Sequence, residues 1–132
     1  MALNRLRNYQ LMRTVLVDTN IVLWMFNEGA NFVEAIQDVA PGFDVAIPKC
    51  VISELEKLGT KEAKTALKYC DKINVLDIGS GYADEMLLNA SEKGYVIATN
   101  DKQLLDQLAE RKSTAIRIRG KKRLMITGSE LI

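Results

Sequence analysis

The chain has 132 residues, a length that predicts one domain spanning 1–132. Hydrophobic residues make up 48% and charged residues 27%, which excludes a disordered tail, and two cysteines, Cys50 and Cys70, are too few for a disulfide scaffold or a cysteine-bound structural zinc. The count of histidines is zero, which excludes Ser-His-Asp and Cys-His catalysis and histidine-ligated zinc or iron, so any chemistry must rest on carboxylates, lysine, tyrosine, hydroxyls or cysteine.

Residues 1–13 carry Arg5, Arg7 and Arg13 and no acid, and no stretch there is apolar for long enough to form a signal-peptide core or a membrane span, so a cytoplasmic protein is expected. TVLVD, residues 14–18, is a β-branched apolar run that ends in a carboxylate and reads as a buried strand. Residues 20–26 read as helical, and the spacing of Phe32, Val33, Ile36 and Val39 predicts a second helix before Pro41-Gly42. VAIP, residues 45–48, is the next strand; Pro48 closes it and opens a helix with Val51, Leu55 and Leu58 inward and Gly59 at its end. Residues 61–70 form another helix with Ala63, Ala66, Leu67 and Cys70 inward. INVLDI, residues 73–78, is the third strand, followed by a Gly79-Ser80-Gly81 turn and a helix over 84–93 that buries Leu87, Leu88 and Ser91 and stops at Gly94. YVIAT, residues 95–99, is the fourth strand, and Asp101 caps a helix running to Lys112 with Leu104, Leu105 and Leu108 inward. AIRIR, residues 115–119, alternates apolar and basic and should have one wet face, and RLMIT after the Gly120-Lys121 turn reads as a short sixth strand. Strands alternating with helices, the first four strands nearly all apolar, predict a parallel α/β sheet covered on both faces and doubly wound.

In such a sheet, ligands bind beyond the carboxyl ends of the strands, where strand order reverses. Asp18 ends the first strand and Asp101 follows the fourth, so adjacency of those two strands would bring both acids to one crevice. Glu54 lies at the edge of its helix's apolar stripe, and Asp84 opens the helix after the third strand, with Glu85 beside it as a substitute acid. Each has a plain structural explanation alone: Asp84 and Asp101 as helix N-caps, Glu54 as a solvated helix residue. Together they point to crowded carboxylates, and two like charges roughly 4 Å apart repel by about 4 kcal/mol at an effective dielectric of about 20. A hard divalent ion, Mg²⁺ or Mn²⁺, relieves that repulsion with oxygen ligands alone, and it suits phosphodiester hydrolysis. Asn20, Thr99 and Asn100 are placed to hydrogen-bond these carboxylates or a metal-bound water. Cys50, Cys70, Trp24 and Phe26 read as packing residues, and Tyr82, beside two glycines, as a candidate substrate contact.

The formal net charge of +1 conceals a segregation: residues 14–110 hold eight lysines against sixteen acids, whereas 111–123 hold seven basic residues and no acid. An acidic middle with basic ends suits a cation at the centre and a polyanion at the rim, the plain alternative being a solvated basic surface. Arg117, Arg119, Lys121, Lys122 and Arg123 are the expected phosphate-contacting ridge, with Arg117 and Arg119 on one face of their strand.

VLVDTNIVL, VISELEKL, GYADEMLL and VIATND, in that order, resemble the motifs of PIN-domain nucleases over about residues 14–119. The resemblance implies a three-layer α/β/α sandwich with a central parallel sheet of order 3-2-1-4-5 and Mg²⁺- or Mn²⁺-dependent cleavage of single-stranded or structured RNA. It makes Asp18, Glu54, Asp84 and Asp101 the catalytic, metal-holding acids, with Asn20 as their polar neighbour. VIATND and the tail IRIRGKKRLMI look like small archaeal PIN proteins related to small-subunit rRNA-processing factors, although many of those have paired aspartates where this chain has Asp84-Glu85. The VapC toxins of toxin-antitoxin pairs are the other large branch. The partners so implied are RNA, a second copy of the chain, and an antitoxin or a ribosome-assembly partner. A catalytically silent RNA-binding scaffold is the remaining alternative, and a phosphoacceptor receiver domain fits the DTN and DIGSG segments poorly.

Overall fold

The structure, a computed structural model, describes residues 13–128. Its elements in chain order are β1 (Thr14–Val17), α1 (Thr19–Glu28), α2 (Phe32–Val39), β2 (Asp44–Pro48), α3 (Lys49–Leu58), α4 (Lys61–Cys70), β3 (Asn74–Leu76), α5 (Ala83–Glu92), β4 (Val96–Ala98), α6 (Lys102–Glu110), β5 (Ala115–Arg119) and β6 (Arg123–Thr127). The sheet order is β3-β2-β1-β4-β5-β6, parallel from β3 to β5, with β6 antiparallel at the edge. The chain leaves the central β1 toward β2 and β3 and returns to its other side with β4, so strand order reverses between β1 and β4.

Strand alternation divides the core in two. Val15, Val17, Ile47, Ala98 and Ile116 face one side and pack with α1 to α4. Leu16, Ala46, Ile97 and Ala115 face the other and pack with Leu87 of α5 and with Leu104 and Leu108 of α6. This is the three-layer α/β/α sandwich expected, and its order is the one implied by the resemblance, extended by β6. Helix ends follow local chemistry: Asn31 caps α2 by accepting the Val33 and Glu34 N–H groups, Thr60 caps α4 through Ala63 N–H, and α1 stops at Gly29 in the left-handed region.

Four expectations need correction. The third strand is three residues long, not six, and Asn74 and Val75 are exposed, because β3 is an edge strand with a neighbour on one side. Leu58 is 49% exposed instead of inward, because it ends α3 where Gly59, at φ 62°, turns the chain away. The helix expected to run to about Lys112 ends two residues short of it, at Glu110, and Lys112 adopts a positive φ of 56°. The basic ends are not uniformly free for a polyanion: Arg111 is ion-paired with Glu92, and the Arg13 guanidinium lies 5.1 Å from the centre of the Phe43 ring. Arg5 and Arg7 lie outside the described residues. Among the described residues no helix is long and apolar enough to cross a membrane.

Candidate functional site

In the β1–β4 pair Val17 lies opposite Ala98, so the residues that follow, Asp18 and Thr99, emerge side by side where strand order reverses. Asp18 N–H still donates to the Ala98 carbonyl at 2.9 Å and Thr99 N–H to the Ile116 carbonyl at 2.9 Å, which ties both residues to the sheet. Both are buried. One Asp18 oxygen accepts the Thr19 N–H at 2.8 Å; the other accepts the Thr99 hydroxyl at 2.7 Å and the Asn20 amide at 3.3 Å. Thr99 Oγ1 in turn accepts the Asp101 N–H at 3.1 Å, and Asn20 Oδ1 accepts the Asn100 N–H at 2.9 Å. Asn20 and Thr99 thus hydrogen-bond Asp18 directly, and Thr99 also accepts from Asp101, whereas Asn100 joins the group only through its backbone N–H on Asn20. Burial pushes the Asp18 carboxyl above its ordinary range; the Thr99 and Thr19 hydrogen bonds oppose this, and the negative charges of Glu54 and Asp101 add to it.

Glu54 is not a solvated helix residue. Its Oε1 accepts the Thr19 hydroxyl at 2.9 Å and its Oε2 the Ala83 N–H at 2.9 Å, so one carboxylate joins α1, α3 and α5. Tyr82, the residue before α5, makes no side-chain cap, and Glu54 meets that need from another helix, with its charge at the positive end of α5. Asp84 therefore does not cap α5. It sits exposed in the first turn, one residue after Ala83, and its Oδ1 accepts the Glu85 N–H at 2.9 Å; Glu85 is exposed beside it. Asp101 does cap α6, accepting the Leu104 N–H at 3.1 Å.

Among the described residues, no three carboxylate or thiol side chains stand as a group that could hold a metal ion. The four acids come to the strand carboxyl ends without closing on one point. The competing partners are visible: each of the four carboxylates accepts an N–H from the first turn of a helix, at Thr19, Ala83, Glu85 and Leu104 respectively for Asp18, Glu54, Asp84 and Asp101. Thr19 is the residue that sequence reasoning missed. It lies between the two polar residues singled out in VDTN, and its N–H and hydroxyl join Asp18 to Glu54.

Arg117, Arg119, Lys121, Lys122 and Arg123 are all exposed. Arg119 pairs directly with Arg123 and Arg117 with Met125 across the β5–β6 hairpin, so the three arginines share a face, while Ile116, Ile118, Leu124 and Ile126 pack into the core from the other. Like charges opposite one another in a sheet are destabilising unless an anion lies between them. The turn is anchored by Trp24 Nε1–H of α1, which donates to the Lys121 carbonyl at 2.7 Å. Trp24 and both cysteines are buried packing residues, as expected; burial pushes the thiol of Cys50 up and that of Cys70 to about 11.

Ribonuclease VapC4 of Methanocaldococcus jannaschii is 29% identical to this chain over 129 residues, a match that covers 89% of this chain and 98% of that protein. The structure of the PIN domain endonuclease Utp24 shares the fold, with a TM-score of 0.75 and 24% identity over 88% of this chain and 92% of that one. The PIN like domain family matches residues 15–121, a span that takes in all four acids and the motifs around them. The chain belongs to the PIN-like domain family and carries that family's nuclease-like domain.

Proposed function

We propose that this chain is an endoribonuclease that hydrolyses RNA phosphodiester bonds with Mg²⁺ or Mn²⁺ held by Asp18, Glu54, Asp84 and Asp101. The observation that carries the reading is Asp18: a buried carboxylate at the strand-order reversal, oriented by Thr99, Asn20 and Thr19, whose charge is disfavoured by burial and by two neighbouring acids. A cation sharing that position offsets both penalties. The donors are all oxygens, which suits a hard ion, and Mg²⁺ keeps several waters and commonly takes only one or two carboxylates directly, so acids that do not close on one point fit an ion that one or two of them would bind directly and the others through water. When bound, the ion supplies Lewis-acid stabilisation of the phosphoryl group and a lowered pKa for a water ligand. Thr99 and Asn20 hold Asp18 in one orientation. Glu54 sets the start of α5 and so the position of Asp84. Arg117, Arg119, Lys121, Lys122 and Arg123 contact phosphates of the same strand.

The identity to a protein named a ribonuclease supports the reaction class and favours a toxin-type enzyme as one assignment. An enzyme of ribosomal RNA processing is the other, supported by the sequence motifs and the basic hairpin. The test is cleavage of several labelled RNAs in Mn²⁺ by the native chain and by Asp101→Asn. Cleavage that stops in EDTA and falls by about a hundredfold or more in the variant is expected. Equal activity in the variant, or cleavage unaffected by EDTA, overturns the metal-dependent reading; RNA binding with no cleavage of any substrate points instead to a silent scaffold.

A further inference from the structure

A fifth acid, Asp77, stands beside the candidate site and holds none of the roles given to the other four. It lies in the loop between β3 and α5 and lines, with Glu54, a groove of about 700 Å³ that opens between that loop and α3. Asp77 is exposed and is not ion-paired with a described residue. Its Oδ1 accepts the Gly79 N–H at 3.1 Å, and no described donor reaches Oδ2. The loop that carries it is shaped, not slack: Gly79 takes a φ of 119°, open to glycine at no steric cost, and a Cβ there would lie 2.7 Å from Met86 Sδ of α5. The carboxylate is thus held in place with acceptor capacity to spare. Lys49 and Lys57, about two turns apart on one face of α3, and the Tyr82 ring, 75% exposed, line the same groove.

We propose that Asp77 is a specificity-determining residue that accepts hydrogen bonds from the Watson–Crick edge of a guanine base in this groove, so that cleavage falls beside guanosines. The inference rests on the ribonuclease reading above and extends it from the reaction to the sequence that is cut. A carboxylate repels the phosphates of RNA, and Lys49 and Lys57 offset that repulsion without reading sequence. It accepts and cannot donate, so it gains only from a base edge that offers donors. Guanine alone presents two of them side by side, N1–H and N2–H, to match the two oxygens of one carboxylate, as the arginine fork does. Adenine and cytosine set a ring-nitrogen acceptor beside their amino group, and uracil flanks its N–H with two carbonyl oxygens. Each of these three therefore meets Asp77 with an acceptor that it repels. A site built to hydrogen-bond one partner rejects a partner that leaves its polar group unpaired, and does so more strongly than apolar contact can. Tyr82 offers a ring face in the same groove on which the base can lie. Because Glu54 belongs both to the groove and to the acid set, the base that is read lies next to the bond that is cut.

The test is binding of short labelled oligouridines that carry one central guanosine, inosine, adenosine or cytidine, or none, titrated in EDTA so that affinity is read without cleavage. The native chain should bind the guanosine RNA about tenfold more tightly than the adenosine, cytidine or all-uridine RNA, with inosine, which lacks the N2 amino group, in between. Asp77→Ala should lose the preference and bind the adenosine RNA as tightly as the native chain or more tightly, since a negative charge has left the groove. Asp77→Asn keeps an oxygen for the Gly79 N–H, so the loop stays shaped, yet its amide donates where guanine also donates, and it should lose the preference too. In Mn²⁺, cuts by the native chain in an RNA of mixed sequence should lie beside guanosines, and Asp77→Asn should spread them. Equal affinity of the native chain for all the RNAs, or a guanosine preference that survives in Asp77→Asn, would overturn the role of Asp77 and leave the ribonuclease reading to stand on the Asp101→Asn experiment. Failure of the native chain to bind any of them would overturn both.

Discussion

Two polar regions of this molecule are built on opposite plans. At the ends of β1 and β4, Asp18, Asn20, Thr99 and Asn100 share hydrogen bonds that begin on the sheet and pass to α1 and α6, and Glu54 extends the network to α3 and α5. On the β5–β6 hairpin, five cations project into solvent, none of them ion-paired with a described residue, and the turn between the strands is held by Trp24 from the core side. Buried polar groups survive only when partnered, and the partners fix their positions to within a hydrogen bond's tolerance. Exposed cations are loosely placed but act at a distance, through a field that needs no fixed geometry. The first plan suits chemistry that depends on where an atom sits; the second suits capture of a polyanion in any register.

The largest effect should come from breaking the network at its least obvious point. Thr19→Val keeps the shape and β-branching of the side chain but removes the hydroxyl that donates to Glu54 Oε1 at 2.9 Å, so Glu54 is freed from α1 while Asp18 keeps its Thr19 N–H bond. Groups that orient ligating carboxylates through hydrogen bonds commonly contribute ten- to hundredfold to metal affinity. Calorimetric titration of Mn²⁺ should show a loss in that range for Thr19→Val and recovery in Thr19→Ser, which restores a hydroxyl. An unaltered Mn²⁺ affinity in the valine variant would mean that Glu54 serves only to cap α5.

That bond also marks where sequence reading stops. β1 and β4 were legible because VLV and VIA are apolar on both faces, which only a central strand can satisfy. INVLDI looks similar, yet Asn74 and Val75 are exposed, because apolar pattern does not distinguish the centre of a sheet from its edge. Asp18, Asn20, Thr99 and Asp101 were legible as a group, since strand ends and two short motifs place them. The reach of Thr19 to Glu54 across 35 positions, and of Glu54 to Ala83 across 29, was not, because both depend on how α3 packs against α1 and α5. Nor does a count of acids reveal the helix N–H groups that compete for them, which is why the four carboxylates read as a tighter cluster than they form.

A smaller effect should follow from weakening the second region while leaving the first intact. Lys121, Lys122 and Arg123 form the turn and the start of β6 and take no part in the hydrogen bonds around Asp18, and replacing all three with glutamine removes charge without touching the apolar face of the hairpin. Each phosphate contact on a single strand contributes roughly 0.7 to the salt exponent, so three contribute about 2. Between about 50 and 200 mM salt the native chain should then lose about 16-fold more RNA affinity than the triple variant, while Mn²⁺ binding is equal in both. Parallel salt plots would assign the ridge to solubility or to a protein partner. A loss of Mn²⁺ affinity in the variant would show that the two regions are not separable.

The smallest effect is on stability, and its sign is the informative part. Asp18 holds its proton more tightly in the folded protein than in the unfolded chain, chiefly because burial disfavours the carboxylate. Folding then carries no penalty from this group at pH values below the ordinary carboxylate range, acquires one as pH rises toward the raised value, and carries it in full above that. Asp18→Asn has no charge to bury, and its side-chain oxygen still accepts hydrogen bonds, so the loss is confined to the geometry with Thr99 and Asn20. Denaturant melts in EDTA should find the variant as stable as the native chain or more stable at neutral pH, by up to about 1 kcal/mol, with the advantage shrinking as pH falls from the raised value of Asp18 through the ordinary carboxylate range and absent below it. Added Mn²⁺ should reverse the order, since a cation held by Asp18 stabilises only the chain that keeps the carboxylate. A variant less stable than the native chain at every pH in EDTA would make Asp18 a structural cap of α1, and the network around it would lose its claim to be organised for a metal.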